Sequence, residues 1–292
     1  MDALLAPVRG AKRRERRRGR AIGPDKSRPF RSSVAHDNMR NLKLVIAYDG
    51  TNFRGWQRQP HGPTVQGTLE SALAKMTGHE LQVHGSGRTD AGAHAAAQVA
   101  NFKTECPFPA PNLLRALNNL LPGSIRVREV AEVADSFHAR HSARAKTYRY
   151  RILQAPVALP FISPFVYHYP YPLDRKRMAE AARWVEGEHD FTSFAAAKDL
   201  SDSDRENFPG SAVRRIYSSR FLWRPKLQML VYEIRGSGFL HHMVRNLVGT
   251  LIEVGRGKLQ PRDMLRIFEA QDRSQAGPTA PASGLFLVNV EY

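Results

Sequence analysis

Cysteine is nearly missing from this chain: Cys106 is the only one in 292 residues. A single thiol excludes an internal disulfide and any zinc site built from several cysteines. Long apolar runs are missing too, with no stretch near the roughly 18 residues needed to span a bilayer. Nor does the N-terminus carry the apolar segment of a secretory signal. A cytoplasmic chain with no membrane attachment is therefore expected. Acidic residues are scarce: 27 Asp and Glu stand against 44 Lys and Arg, a formal charge of +17. Residues 1–40, with 12 basic and 4 acidic side chains, hold eight of those charges. The remaining chain is still basic, which suits a polyanionic partner, nucleic acid first; a generally basic proteome is the plainer explanation. There is no P-loop, no dinucleotide fingerprint after a strand and no HExxH pair.

What is present is an ordinary globular composition, 42% apolar and 24% charged, long enough for about two domains. Residues 1–40 read as a disordered basic extension, because the run at 12–20 has no apolar periodicity and repels itself. Residues 42–48 form a short apolar strand closed by the turn signal Asp49-Gly50. Thr64 caps a helix with Val65, Leu69, Ala72, Leu73 and Met76 on one face, stopped by Gly78. Residues 80–84 and 96–102 read as strands. Leu113, Leu114, Leu117, Leu120 and Leu121 mark a second helix, and residues 125–133 a fourth strand. The order β-α-β-β-α-β is that of a ferredoxin-like unit.

The same order recurs. Residues 147–153 alternate Tyr148, Tyr150 and Ile152 with Arg149 and Arg151. Asp174 caps a helix facing inward through Met178, Ala181, Ala182 and Val185. Strands at 213–223 and 227–235, a helix from Leu240 to Gly255 and a last strand at 285–291 complete it. Residues 195–212 lack periodicity and read as a loop or insertion. The expectation is an α+β protein: two ferredoxin-like (RRM-like) units with antiparallel sheets, at 41–140 and 141–292, forming one cleft.

Three places carry candidate chemistry. The loop Gly85-Ser86-Gly87-Arg88-Thr89-Asp90-Ala91-Gly92-Ala93-His94 packs three glycines, a guanidinium, a carboxylate and an imidazole between two strands. Glycine at that density permits sharp turns and close approach by another molecule. Arg88 and Asp90, two apart, point the same way in extended backbone; a plain turn with Asp90 bonded to its own backbone is the alternative. Tyr148 follows the basic segment 140–146 and is suited either to stacking on an unpaired base or to core packing. In the helix after Leu240, His241, His242, Arg245 and Gly249 flank the apolar stripe. Arg245 could reach a cleft and pair with a carboxylate, or simply face solvent. Adjacent histidines on a helix diverge by about 100°, which argues against metal binding there.

These residues sit in longer matches. GSGRTDAGAHA (85–95) resembles the catalytic motif of the tRNA pseudouridine synthase A family. So do AYDGTNFRGWQRQ (47–59), TVQGTLESAL (64–73), ARAKTYRYRI (143–152), GEHDFTSF (187–194), GFLHHMVRNLVGT (238–250) and APASGLFL (280–287), in order. Residues 1–40 lie outside the resemblance. It implies an isomerase that converts uridine to pseudouridine at tRNA positions 38, 39 and 40 of the anticodon stem-loop, acting as a homodimer without cofactor or metal. By residue, it implies Asp90 as nucleophile, Arg88 as the arginine that displaces the target base, Tyr148 as the tyrosine packed on the uracil, and Arg245 as partner of the carboxylate. The carboxylate's target, ribose C1′, uracil C6 or a glycal route, is left open. Ala93, Ser237 and Phe286 stand where the family more often has valine, asparagine and tyrosine. Two other readings compete: a non-catalytic RNA-binding protein on the same scaffold, and an unrelated hydrolase using Asp90 with His94.

Overall fold

The computed structural model describes residues 39–196 and 212–292. The basic extension, apart from its last two residues, and most of the 195–212 insertion fall outside them. In β1 (Arg40–Tyr48) the inward positions Leu42, Leu44, Ile46 and Tyr48 are buried, as alternation requires. Thr64 caps α1 (Val65–Thr77) by accepting a hydrogen bond from the Gly67 N–H at 3.2 Å, and Gly78 ends it in the left-handed conformation. Next come β2 (His84–Gly85), β3 (His94–Thr104), α2 (Ala110–Leu120) and β4 (Ile125–Val133). The second half runs β5 (Ala145–Leu153), β6 (Tyr167–His168), α3 (Arg175–Arg183) capped by Asp174, β7 (Gly187–Asp190), β8 (Val213–Arg224) and β9 (Met229–Gly236). It ends with α4 (Met243–Gly255), α5 (Asp263–Ala270) and β10 (Leu285–Glu291).

Among the described residues, all ten strands join one mostly antiparallel sheet, whose main path is β4-β1-β3-β10-β5-β9-β8-β7. The mixed α+β class expected from the element order is the one found. The last strand is the seam of the sheet. It runs antiparallel to β5, from Leu285 opposite Tyr150 to Glu291 opposite Ala145. On its other side it pairs in parallel with β3 through Phe286 opposite His94 and Leu287 opposite Ala95. The C-terminal strand thus ties the two halves at the end of β3 nearest the glycine-rich loop.

Two expectations need correction. The strand at 80–84 shrinks to His84–Gly85, because side chains of α1 take the backbone groups just before it. Glu70 Oε1 accepts from the Val83 N–H at 3.2 Å, and Gln66 Nε2 donates to the Val83 carbonyl at 3.0 Å. The helix expected from Leu240 starts at Met243, because His242 sits at φ 60° and cannot continue a right-handed helix. Helix α5 was unforeseen, although Met264, Ile267 and Phe268, buried at helical spacing, marked it.

Candidate active site

Residues 86–93 connect β2 to β3 and are pinned from several sides. The Ser86 N–H donates to the Val99 carbonyl at 2.7 Å, and Gln98 Nε2 donates to the Gly87 carbonyl at 2.9 Å. The Thr89 hydroxyl bonds the buried Tyr48 hydroxyl at 2.8 Å, while the Trp56 N–H donates to the Thr89 carbonyl at 3.1 Å. Gly55, at φ 85°, lets the preceding turn press on the loop: a Cβ there would lie 2.5 Å from the Thr89 carbonyl oxygen. The loop is thereby held in one shape and keeps the Asp90 side chain 10% exposed.

Arg245, from α4, reaches that carboxylate. Its Nη1 lies 2.8 Å from Asp90 Oδ2, and its Nε donates to the Ala280 carbonyl at 2.7 Å. With a side chain only 16% exposed, Arg245 is a buried partner and not a solvated flank residue. Gly249, one turn on, has a different task. A Cβ there would fall 1.6 Å from the Pro278 carbonyl oxygen, so the missing side chain admits the segment that supplies Ala280.

The two histidines before α4 converge on the same carboxylate. His241 Nε2 is 3.4 Å from Asp90 Oδ1 and His242 Nε2 is 3.6 Å from Oδ2, with ring centroids 3.9 Å apart. The expected 100° divergence does not apply, because neither residue belongs to the helix. Burial is the strongest influence on Asp90 and pushes its pKa up. Hydrogen bonds from His241 and Arg245 and attraction to His242 and Arg245 outweigh it, so the carboxyl sits below its ordinary range. Asp90 is ionised at neutral pH.

These groups share a cleft of about 1330 Å³. Arg54, Arg88, Arg140, Lys146, Arg214 and Arg245 line it, and Asp90 is the only acidic residue among the described ones that do. Arg88 is exposed, so it borders the same space as Asp90 but from the solvent side. Tyr148 also lines the cleft, although it is 7% exposed and packs edge-on against Phe239 with centroids 5.0 Å apart. Burial first, then the charge fields of Tyr48 and Asp90, push its phenol pKa up, so it stays neutral.

Lys146 was not singled out by the sequence. It lies two residues before Tyr148 on one face of β5, a spacing that could have drawn notice. Its Nζ donates to the Ser86 carbonyl at 2.5 Å, and burial, with Arg140 and Arg214, lowers its pKa to about 8. His94 faces elsewhere. Its Nδ1 accepts from the Gly50 N–H at 3.0 Å, so Nε2 carries the proton and donates to the Pro164 carbonyl at 3.0 Å. Its ring stacks on Phe286 at 4.7 Å. An Asp90–His94 dyad is not assembled. Phe286 also takes the guanidinium of Arg151 over its ring at 4.0 Å.

A basic cleft holding one ionised, arginine-paired carboxylate has the charge of a site for a polyanion and presents a carboxylate to it. A family model described as tRNA pseudouridine synthase matches residues 44–142 and 181–292. A tRNA pseudouridine synthase A from Solibacter usitatus is 52% identical over 254 residues, spanning 87% of this chain and all of the relative. One from Latilactobacillus sakei is 46% identical over 86% of this chain and 98% of its own. One from Brevibacillus brevis is 46% identical over 87% of this chain and all of its own. Among solved structures, a 3-hydroxy-3-methylglutaryl-coenzyme A reductase from Streptococcus pneumoniae aligns with 81% of this chain and 60% of its own, at 10% identity and a TM-score of 0.20. A likeness that low bears on neither fold nor function. The chain belongs to the tRNA pseudouridine synthase family, whose members are isomerases that convert uridine to pseudouridine in tRNA. No helix among the described residues is long and apolar enough to cross a membrane.

Proposed function

We propose that Asp90 is the nucleophile of the isomerisation and that Arg88, Tyr148 and Arg245 serve it in separate ways. The observation that carries this reading is the ionised Asp90 carboxylate, alone of its kind among the described residues lining a basic cleft and bonded to Arg245 at 2.8 Å. In the reaction the C1′–N1 bond of uridine breaks, the uracil turns, and a C1′–C5 bond forms. The C5 proton leaves and N1 gains one, so composition is unchanged and no redox partner is needed.

Arg245 keeps the carboxylate charged and aimed. Tyr148, neutral and anchored against Phe239, offers an aromatic surface for the uracil. Arg88, exposed at the same cleft, is free to enter the space a target base leaves behind. Extruding that base costs a few kcal/mol, which phosphate contacts with the cleft's basic side chains offset. The substrate in this reading is the anticodon stem-loop of tRNA at positions 38, 39 and 40, met in the cytoplasm by a homodimer. The halves 41–140 and 141–292 then act as two ferredoxin-like units, one bringing Asp90 and the other Arg245.

The test is tritium release from tRNA transcripts carrying 5-tritiated uridine, comparing the intact protein with Asp90→Ala. Release by the intact protein and none by the variant is expected. Equal release from both would remove Asp90 from the chemistry.

A further inference from the structure

Asp90, His241 and His242 present three metal-ligating atoms, each within 4.8 Å of the others. The geometry points to a second use of this cluster: it binds a divalent ion of the zinc class, and that ion inhibits the enzyme by occupying the Asp90 carboxylate. The inhibitory half rests on Asp90 being the nucleophile; the binding half does not.

The argument is geometric. Zinc holds imidazole nitrogen and carboxylate oxygen at about 2.0–2.2 Å in a tetrahedron, whose edges are then roughly 3.3–3.6 Å. His241 Nε2 stands 3.4 Å from Oδ1 and His242 Nε2 3.6 Å from Oδ2, so each nitrogen is already about one edge from a carboxylate oxygen, and an ion on one oxygen needs only a side-chain adjustment of the other imidazole. Both histidines offer Nε2, and imidazole with carboxylate is a donor set that zinc favours. The left-handed backbone of His242, at φ 60°, brings two neighbouring rings to one carboxylate. A helical continuation would have separated them.

Arg245 sets the strength. Its guanidinium, 2.8 Å from Oδ2, repels an incoming cation and competes for the same oxygen. Binding is therefore weaker than at a closed structural zinc site and reversible by a chelator.

Calorimetric titration of the full chain with ZnCl2 tests this, with CoCl2 absorption as a second reading of tetrahedral coordination. About one equivalent is expected, with affinity falling about ten-fold or more in each of Asp90→Asn, His241→Gln and His242→Gln. The side chains of His241 and His242 are 40% and 31% exposed, so these glutamine variants are expected to fold. A control, His138→Gln, addresses the other imidazole group, His84, His138 and His141, which borders the same cleft. Loss of binding in that variant with retention in His241→Gln would overturn the assignment, as would no micromolar binding at all.

Tritium release is then measured with ZnCl2 and after chelation. Tritium release by a protein that binds no zinc would reject the metal site and leave the proposed function intact. Zinc binding that depends on His241 and His242, in a protein whose Asp90→Ala variant still turns over, would do the reverse.

Discussion

Replacing Arg245 by glutamine isolates what the buried ion pair does for Asp90. The variant keeps a polar side chain, two bonds shorter, and removes the charge and its short bond to Oδ2. Burial, already the strongest influence on this carboxyl, is then opposed only by the histidines. An adjacent opposite charge moves a carboxyl pKa by about 1–3 units, and each unit corresponds to about 1.4 kcal/mol, so the pair contributes about 1.4–4 kcal/mol at neutral pH. The direction follows from linkage. A carboxyl held below its unfolded value contributes stability that is complete above about pH 4 and is lost as pH falls through the lower folded value. Without Arg245 the folded value rises, and the stability gap between variant and intact protein widens as pH increases through the acid range in which the carboxyl ionises. Urea unfolding at a series of pH values measures the gap. Single-turnover tritium release measures the acid limb of the rate, expected to move up by about 1–3 pH units. A stability gap independent of pH, together with an unmoved acid limb, would refute the claim that Arg245 holds Asp90 ionised.

Two further expectations follow from other buried groups. Lys146, lowered to about 8, favours its neutral form in the folded protein, so its contribution to stability is complete above about pH 10.5 and is lost as pH falls through about 8. Its positive charge is accordingly lost from the cleft as pH rises past 8, and tRNA affinity in filter binding is expected to decline there. Lys146→Arg, always charged, should remove that decline, and persistence of it in the variant would acquit Lys146. Replacing His94 by leucine leaves the buried Gly50 N–H and the half-buried Pro164 carbonyl without that partner, which is expected to cost about 1–3 kcal/mol in urea unfolding. Tritium release per folded molecule should be little changed, whereas a loss of several orders of magnitude would return His94 to the chemistry.

Much of this protein is legible in its linear order because the relevant interactions are local. Thr64 and Asp174 announce their helices through caps that reach three residues ahead. The alternation of Leu42, Leu44 and Ile46 needs only the pleat of a strand, and the strands expected at 125–133 and 285–291 have the bounds found for β4 and β10. The loop around Asp90 is conspicuous because glycines, a carboxylate and a guanidinium crowd ten positions. Sequence, through its resemblance, also named the partner of Asp90, but not whether Arg245 is buried or solvated.

Distance along the chain decides what remained hidden. Arg245 is 155 residues from Asp90, and their contact exists only because β10, entering between β3 and β5, joins the halves beside the loop. No period or cap encodes that placement; pairing of β10 with strands far away in sequence does. The fate of residues 80–83 turned on Glu70 and Gln66, helix side chains that took over backbone groups otherwise offered to a strand. His241 and His242 show the same limit most sharply. Helical spacing sends them apart, but one residue at φ 60° delays the start of the helix to Met243 and turns both rings onto Asp90. Local propensity set the elements, whereas the convergence of charges on one carboxylate came from long-range packing that outweighs it.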